Sequence, residues 1–333
     1  MGGGSYDATA YSAARTRRAA TGASAFTHTA AIRSGASTSA VHESLDPAGL
    51  NTLGEKIREC LDSDDHPNAT PVAVLFDETG SMADIPEKLV DRLEGLYGLL
   101  LRKGYCEDPQ IMFGAIGDGY QGYEVAPLQV GQFESDNRAI DVLGNIYLER
   151  NGGGGGTESY DLALYFLGEH VRLDRVTKGR GKGYCFIVGD ETVRPHLTRK
   201  EIKQYVGDDV EADIPFAQLL SKAQEMWEIF FIYPREASYF SRSPYVNEWR
   251  DRLGQNVLVV DNVDDICEVI GSTIGLMEGA VDDLDDVVND LEEIGAGSAS
   301  GTVSSALAHL TPKGAVTTSA SPAGLDGAGA TRL

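Results

Sequence analysis

Oxygen-bearing side chains occur at three separated places in the sequence where they could share one metal ion. Asp77, Thr79 and Ser81 are spaced two residues apart directly after an apolar run. A chain that turns there can aim alternate side chains into one pocket. Thr157 follows a run of glycines, and Asp190 comes two residues after another apolar run. Carboxylate and hydroxyl oxygens suit Mg²⁺ or Mn²⁺ and do not suit metals that prefer sulfur. These residue types therefore predict a small divalent-cation site.

The surrounding sequence predicts the elements that would bring these residues together. Strand-sized apolar runs alternate with helical patterns, as in a doubly wound α/β protein. The runs are Val72–Phe76, Ile111–Ile116, Tyr184–Val188, Ile229–Tyr233 and Val257–Val260. A turn at Gly117–Gly122 and a returning strand at Glu124–Val130 add one antiparallel hairpin strand. We therefore expect an α/β fold with a doubly wound, mostly parallel sheet. Ligands bind such sheets at the C-terminal ends of the strands, which is where Asp77 and Asp190 fall.

Composition divides the rest of the chain into flanking segments. Residues 1–69 are expected to form an N-terminal arm, largely irregular, with one short helix at Leu50–Leu61. The main domain is expected over residues 70–280, followed by an acidic amphipathic helix at 281–294. That helix either closes the domain with an exposed acidic face or docks into a basic groove of another molecule, and the pattern leaves both open. Residues 295–333 are rich in Gly, Ser, Ala and Thr, which predicts a disordered tail.

The order and spacing of the site residues resemble a known motif. Asp77-x-Thr79-x-Ser81, a later Thr157 and a still later Asp190 resemble the metal-ion-dependent adhesion site (MIDAS) of von Willebrand factor type A (vWA) domains, here of the bacterial intracellular type. The resemblance implies a Rossmann-like sheet with these five residues holding Mg²⁺, or Mn²⁺ or Ca²⁺ in its place. It also implies direct coordination by the hydroxyls, aspartates that often act through water, and an Asp or Glu of a protein partner completing the coordination.

Further acids lie at the same predicted edge. Glu78, Glu158 and Glu191 each adjoin a site residue, and they would either tighten cation binding or repel an acidic partner. Asp118 falls in the turn after the second strand, where we expect it to hydrogen-bond its own backbone, as Asp often does in turns.

Three functional hypotheses follow. The first is a non-enzymatic, cation-dependent protein-binding module. Bacterial proteins of similar appearance often work with AAA+ ATPases of the MoxR type, so by resemblance this chain would be an adaptor for such an ATPase. The second is a structural or assembly component of a phage or other large particle, with the arm and the acidic helix making fixed contacts. The third is a metal-dependent hydrolase, which would need a nearby base or second metal.

Charge and composition disfavour other partners and sites. The 333 residues contain 28 Lys and Arg against 51 Asp and Glu, a formal net charge of −23. Such a chain repels nucleic acid and anionic membrane surfaces, and no apolar run is long enough for a transmembrane helix.

The glycine run lacks the Lys and Ser/Thr of a phosphate loop, and Ser81 lacks the GxSxG context of a hydrolase nucleophile. Four widely spaced cysteines suggest reduced thiols and a cytoplasmic location.

Overall fold

Strands and helices alternate through most of the chain. The computed structural model describes residues 6–51, 53–150, 156–240 and 244–311. The strands are β1 (Arg58–Cys60), β2 (Thr70–Asp77), β3 (Pro109–Ile116), β4 (Leu128–Val130), β5 (Val171–Leu173), β6 (Gly183–Val188), β7 (His196–Leu197), β8 (Ile214–Pro215), β9 (Trp227–Pro234) and β10 (Val257–Val260). The helices are α1 (Ala8–Thr21), α2 (Thr27–Arg33), α3 (Ile85–Asp91), α4 (Leu93–Tyr97), α5 (Arg138–Gly144), α6 (Tyr160–Glu169), α7 (Asp174–Thr177), α8 (Arg199–Glu201), α9 (Phe216–Gln224), α10 (Pro244–Leu253), α11 (Ile266–Glu278), α12 (Leu284–Ile294) and α13 (Ser300–Leu307).

Six strands form the central sheet in the order β10-β9-β6-β2-β3-β4. The central strand β2 runs parallel to both neighbours, β3 and β6. β9 and β10 continue the parallel arrangement, whereas β4 pairs antiparallel with β3. This confirms the predicted α/β fold with a mostly parallel, doubly wound sheet. The antiparallel strand is shorter than predicted, because residues 124–127 belong to a longer loop.

The central strand is apolar throughout because the sheet is covered on both faces. All eight residues of β2 are buried. Val74 and Phe76 pack into one core with residues of α3, α4 and α11, whereas Ala73 and Leu75 pack into a second core with residues of α6 and α9. A strand buried on both faces needs apolar side chains at every position rather than at alternate ones. Asp77 is the last residue of this strand, so its carboxylate is buried at the C-terminal edge of the sheet.

The N-terminal segment is part of the core, contrary to the predicted irregular arm. α1 and α2 lie in it, and Tyr11, Phe26 and Leu45 are fully buried within the core that contains Phe76. The helix predicted at Leu50–Leu61 is wrong, since this stretch contains β1, which pairs in parallel with β5. Pairing with a strand more than a hundred residues away decides the local structure there, and a local sequence pattern does not contain that information.

The C-terminal region is also more ordered than predicted. α12 lies within the segment 281–294 and packs Val287 and Leu291 into the core, so the helix closes the domain with its acidic face outward. α13 follows and buries Val303, Ala306 and Leu307. The prediction of a disordered tail from residue 295 is therefore wrong for α13, because small apolar residues on one helix face suffice for packing. Residues 312–333 of that predicted tail lie outside the described residues.

Other sequence expectations meet the structure as follows. All four cysteines are free and buried. Among the described helices, none has the length and apolar character needed to cross a membrane.

Candidate metal centre

The first part of the site forms where β2 ends. Asp77 is fully buried, and its Oδ1 accepts hydrogen bonds from the backbone N–H of Thr79 at 2.9 Å and from Thr79 Oγ1 at 2.7 Å. Thr79 Oγ1 lies 3.3 Å from Ser81 Oγ, which belongs to the 3₁₀ turn Gly80–Met82. The alternate spacing of these residues therefore does aim the three side chains at one place.

The second part comes from the loop after β6. Ser81 Oγ donates a 2.7 Å hydrogen bond to Asp190 Oδ1. Asp190 is buried, and its Oδ2 accepts from the backbone N–H of Tyr239 at 3.0 Å. Four of the five residues proposed from sequence are thus brought together across two neighbouring strands. One hydrogen bond joins Thr79 to Asp77, another joins Ser81 to Asp190, and the two hydroxyl oxygens lie 3.3 Å apart.

Thr157 lies on an adjoining loop. It forms a parallel backbone bridge with Thr192, two residues after Asp190, and the backbone N–H of Glu158 donates to the carbonyl of Thr192 at 3.3 Å. The structure therefore brings the loop of Thr157 next to that of Asp190 through the backbone. Of the preceding glycine run, Gly152–Gly156, residues 152–155 lie outside the described residues.

Tyr160 is a site residue that the sequence analysis missed. It begins α6, is fully buried, and donates a 2.8 Å hydrogen bond from its hydroxyl to Asp77 Oδ2. Its ring packs edge-on against Phe231 and Trp249. Gly189 leaves room for it, because a Cβ at that position would lie 2.1 Å from the Tyr160 hydroxyl oxygen. Both oxygens of Asp77 are thereby fixed. The sequence signal is weak, since a tyrosine at the start of a buried helix is usually read as a core residue.

Negative charge is concentrated around these site residues. Burial, and then the charge of Asp190, raises the pKa of Asp77 to about 7. Burial, followed by the charges of Asp77 and Asp190, raises the pKa of Glu191 to about 8. Glu158 shows the same direction, since burial and then Asp77 raise its pKa well above the ordinary value. Ionised carboxylates crowded away from water repel one another, and a cation among them would relieve that repulsion.

The donor set fits a hard divalent cation. Two carboxylates and two hydroxyls converge, all of them oxygen ligands of the kind that Mg²⁺ binds. Oε2 of Glu158 is buried and has no hydrogen-bond partner among the residues that the structure describes, although buried polar atoms are normally satisfied. Within the described ranges, no group of three or more His, Cys, Asp and Glu side chains is arranged to hold a metal ion. A cation bound here would therefore need the hydroxyl oxygens of Thr79 and Ser81 as ligands beside the carboxylates.

Asp118 takes the place expected of a turn residue. Its Oδ1 accepts from the backbone N–H of Tyr120 at 2.9 Å, which confirms the predicted local hydrogen bond. Its own N–H donates to Glu124 Oε2 at 2.6 Å.

No protein-family model matches this sequence, and no curated protein matches it. The chain is similar in fold to a von Willebrand factor type A protein from Catenulispora acidiphila, with 12% identity and a TM-score of 0.36 over 62% of this chain and 42% of that one. It is also similar to the pilus adhesin SpaC from Lactobacillus rhamnosus GG in its open conformation, with 10% identity and a TM-score of 0.43 over 63% of this chain and 30% of that one. A third similar structure is proximal thread matrix protein 1 from the mussel byssus, with 11% identity and a TM-score of 0.39 over 64% of this chain and 48% of that one. The chain thus spans less than half the length of each of these proteins.

Proposed function

We propose that this chain is a divalent-cation-dependent protein-binding module of the vWA type, without enzymatic activity. Asp77, Thr79, Ser81 and Asp190 would hold Mg²⁺, or Mn²⁺ or Ca²⁺ in its place, with Thr157 contributing from the adjoining loop. The observation that carries the proposal is the convergence of the first four residues at the C-terminal edge of the sheet, where each hydroxyl is hydrogen-bonded to a carboxylate and the two hydroxyl oxygens lie 3.3 Å apart.

The direction of these hydrogen bonds suits a cation. Thr79 and Ser81 donate their hydroxyl protons to Asp77 and Asp190, which leaves lone pairs on the hydroxyl oxygens for a metal ion. The neighbouring acids Glu158 and Glu191 supply compensating negative charge. An Asp or Glu side chain of a protein partner would bind the cation from outside and thereby attach the partner to this edge of the sheet.

A finer proposal is that the module serves as an adaptor for a MoxR-type AAA+ ATPase in the cytoplasm. Its support is the resemblance of the motif to bacterial vWA proteins. Co-purification with such an ATPase that Mg²⁺ sustains and EDTA abolishes would be expected. The structure favours this proposal over a particle component, because the N-terminal segment and the acidic helix, which would make the contacts in a particle, pack on this chain's own core.

Removal of one hydroxyl tests the cation site directly. We expect wild-type protein to bind one Mg²⁺ in isothermal titration calorimetry, and Ser81→Ala to weaken that binding at least about tenfold, since a ligand is lost. Ser305→Ala is the matched control, because Ser305 is exposed and bonds Asp261 away from the site. Equal Mg²⁺ affinity in wild type and Ser81→Ala would contradict the proposal.

Loss of the tyrosine hydroxyl tests whether Tyr160 positions Asp77. In Tyr160→Phe the ring packing is kept but Asp77 Oδ2 loses its 2.8 Å partner. We expect Mg²⁺ affinity to fall about tenfold, as it does when partners that orient metal ligands are removed. The comparison is Tyr165→Phe, whose hydroxyl bonds Asp208 instead and whose loss should leave Mg²⁺ affinity unchanged. An unaltered affinity in Tyr160→Phe would mean that Tyr160 serves packing alone.

A further inference from the structure

The loop after β3 presents large apolar side chains to solvent. It spans residues 117–127, and in it Tyr120, Tyr123 and Val125 are 42%, 50% and 64% exposed. Exposed aromatic and aliphatic side chains grouped on a short segment are typical of interaction sites rather than of an ordinary surface. The feature is separate from the core-forming apolar pattern of the strands.

Polar contacts, several of them buried, tie this loop to itself and to the domain. Its ends meet where Gly117 N–H donates to the carbonyl of Pro127 at 3.0 Å. Glu124 is almost completely buried and accepts from the backbone of Asp118. Tyr205 donates from its hydroxyl to a backbone carbonyl of the loop, that of Gly119, at 3.2 Å. A loop fixed in advance loses little conformational entropy when a partner binds it.

The loop adjoins the candidate metal centre. The backbone N–H of Ser159 donates to the carbonyl of Gly117 at 3.1 Å, and Ser159 Oγ accepts from the backbone of Gly119 at 2.9 Å. Ser159 is two residues from Thr157. The guanidinium of Arg194, four residues after Asp190, lies 5.3 Å from the centre of the Tyr120 ring. The apolar loop and the cation site therefore share one edge of the molecule.

A groove runs beside the loop, with a volume of about 540 Å³. Its apolar lining comes from the N-terminal segment on one side and from the loop and its neighbours on the other: Val41, Pro47, Val125, Pro127, Leu128 and Tyr205. Two acids, Glu43 and Asp46, also line it. The groove thus combines an apolar surface with negative charge.

We propose that one partner segment engages both places: its Asp or Glu reaches the cation, and a nearby apolar side chain enters the groove beside Val125. The inference rests on the proposed function and adds to it the chemistry of the partner. Because Glu43 and Asp46 line the groove and the chain carries a net charge of −23, the partner segment carries Lys or Arg around its apolar residue. The exposed Tyr123 packs along this segment outside the groove.

A random peptide library displayed on phage provides the probe. The full chain is used to select peptides in the presence of Mg²⁺, and the selected peptides are then titrated against variants. We expect peptides that need Mg²⁺ to contain one acid, an apolar residue and a basic residue. Their affinity should fall about tenfold in Tyr123→Ser and about fivefold in Val125→Ser. Leu101→Ser is the control, because Leu101 is a similarly exposed apolar residue, at 40%, beyond α4.

The outcomes separate the two proposals. If Mg²⁺-dependent peptides bind Tyr123→Ser and Val125→Ser as tightly as wild type, the groove inference is overturned and the cation site stands. If the selected peptides bind equally well in EDTA and to Ser81→Ala, the proposed function is overturned. Selection that yields no Mg²⁺-dependent peptide at all overturns both.

Discussion

Replacement of Tyr11 by alanine is expected to lower the free energy of unfolding by about 4 kcal/mol, as truncation of a large buried aromatic residue does. Tyr11 belongs to α1 and is fully buried in the main core. Its hydroxyl donates a 2.6 Å hydrogen bond to the carbonyl of Val90 at the end of α3. Loss of this side chain opens a cavity and removes an anchor of the N-terminal segment. Urea denaturation followed by circular dichroism measures the change.

Two control variants separate packing from other effects. Tyr11→Phe keeps the ring and loses only the hydrogen bond to Val90, so we expect a cost of about 1 kcal/mol. Arg17→Ala, on the exposed side of the same helix, should change stability by no more than about 0.5 kcal/mol. If Tyr11→Ala unfolds at the same urea concentration as wild type, the N-terminal segment does not contribute to the core in the way described.

The central sheet could be predicted from sequence because its strands are buried on both faces. Val72–Phe76 and Tyr184–Val188 are continuous apolar runs, and each lies within an observed strand. The N-terminal segment offered no such run. In α1, Tyr11 is the buried residue within a helix of alanine and polar side chains, so the apolar residues of this helix show no periodic pattern that would predict its packing. The pairing of β1 with β5 likewise depends on a distant strand.

The candidate site was predictable to the extent that its residues follow strands. The alternate spacing of Asp77, Thr79 and Ser81, and the position of Asp190 after β6, placed these four side chains at one edge. The groups that orient them were not predictable. Tyr160, at the start of a helix, donates to Asp77, and the backbone N–H of Tyr239 donates to Asp190. A backbone donor cannot be recognised from sequence, because every residue type except proline carries one.

Replacement of Glu268 is expected to have the second large effect on stability, because Glu268 is a buried acid away from the candidate site. It lies in α11, is 7% exposed, and its Oε2 has no hydrogen-bond partner in the described part of the chain. Gly95 in α4 makes room for the carboxylate, since a Cβ there would lie 2.0 Å from Oε1 of Glu268. Burial, and then the charge of Asp265, raises the pKa of Glu268 from 4.5 to about 7, although Arg92 opposes the shift.

The sign of the resulting pH dependence follows from proton binding. The folded state holds the Glu268 proton more tightly than the unfolded chain, so its contribution to stability is complete below about pH 4.5 and is lost as pH rises through about 7. Glu268→Gln stays neutral at every pH. We therefore expect this variant to be more stable than wild type by about 3 kcal/mol near pH 8, and by less than about 1 kcal/mol near pH 5.

Urea denaturation of both proteins at the two pH values tests this expectation, and subtraction of the wild-type curve removes the contributions of the other buried acids. Glu107→Gln is the control, because Glu107 is exposed and its replacement should leave the difference near zero at both pH values. An equal gain for Glu268→Gln at low and high pH would point to altered packing against Gly95 rather than to ionisation. A loss of stability near pH 8 would show that the buried carboxylate is compensated in the folded protein, and the assigned cost of its charge would then be wrong.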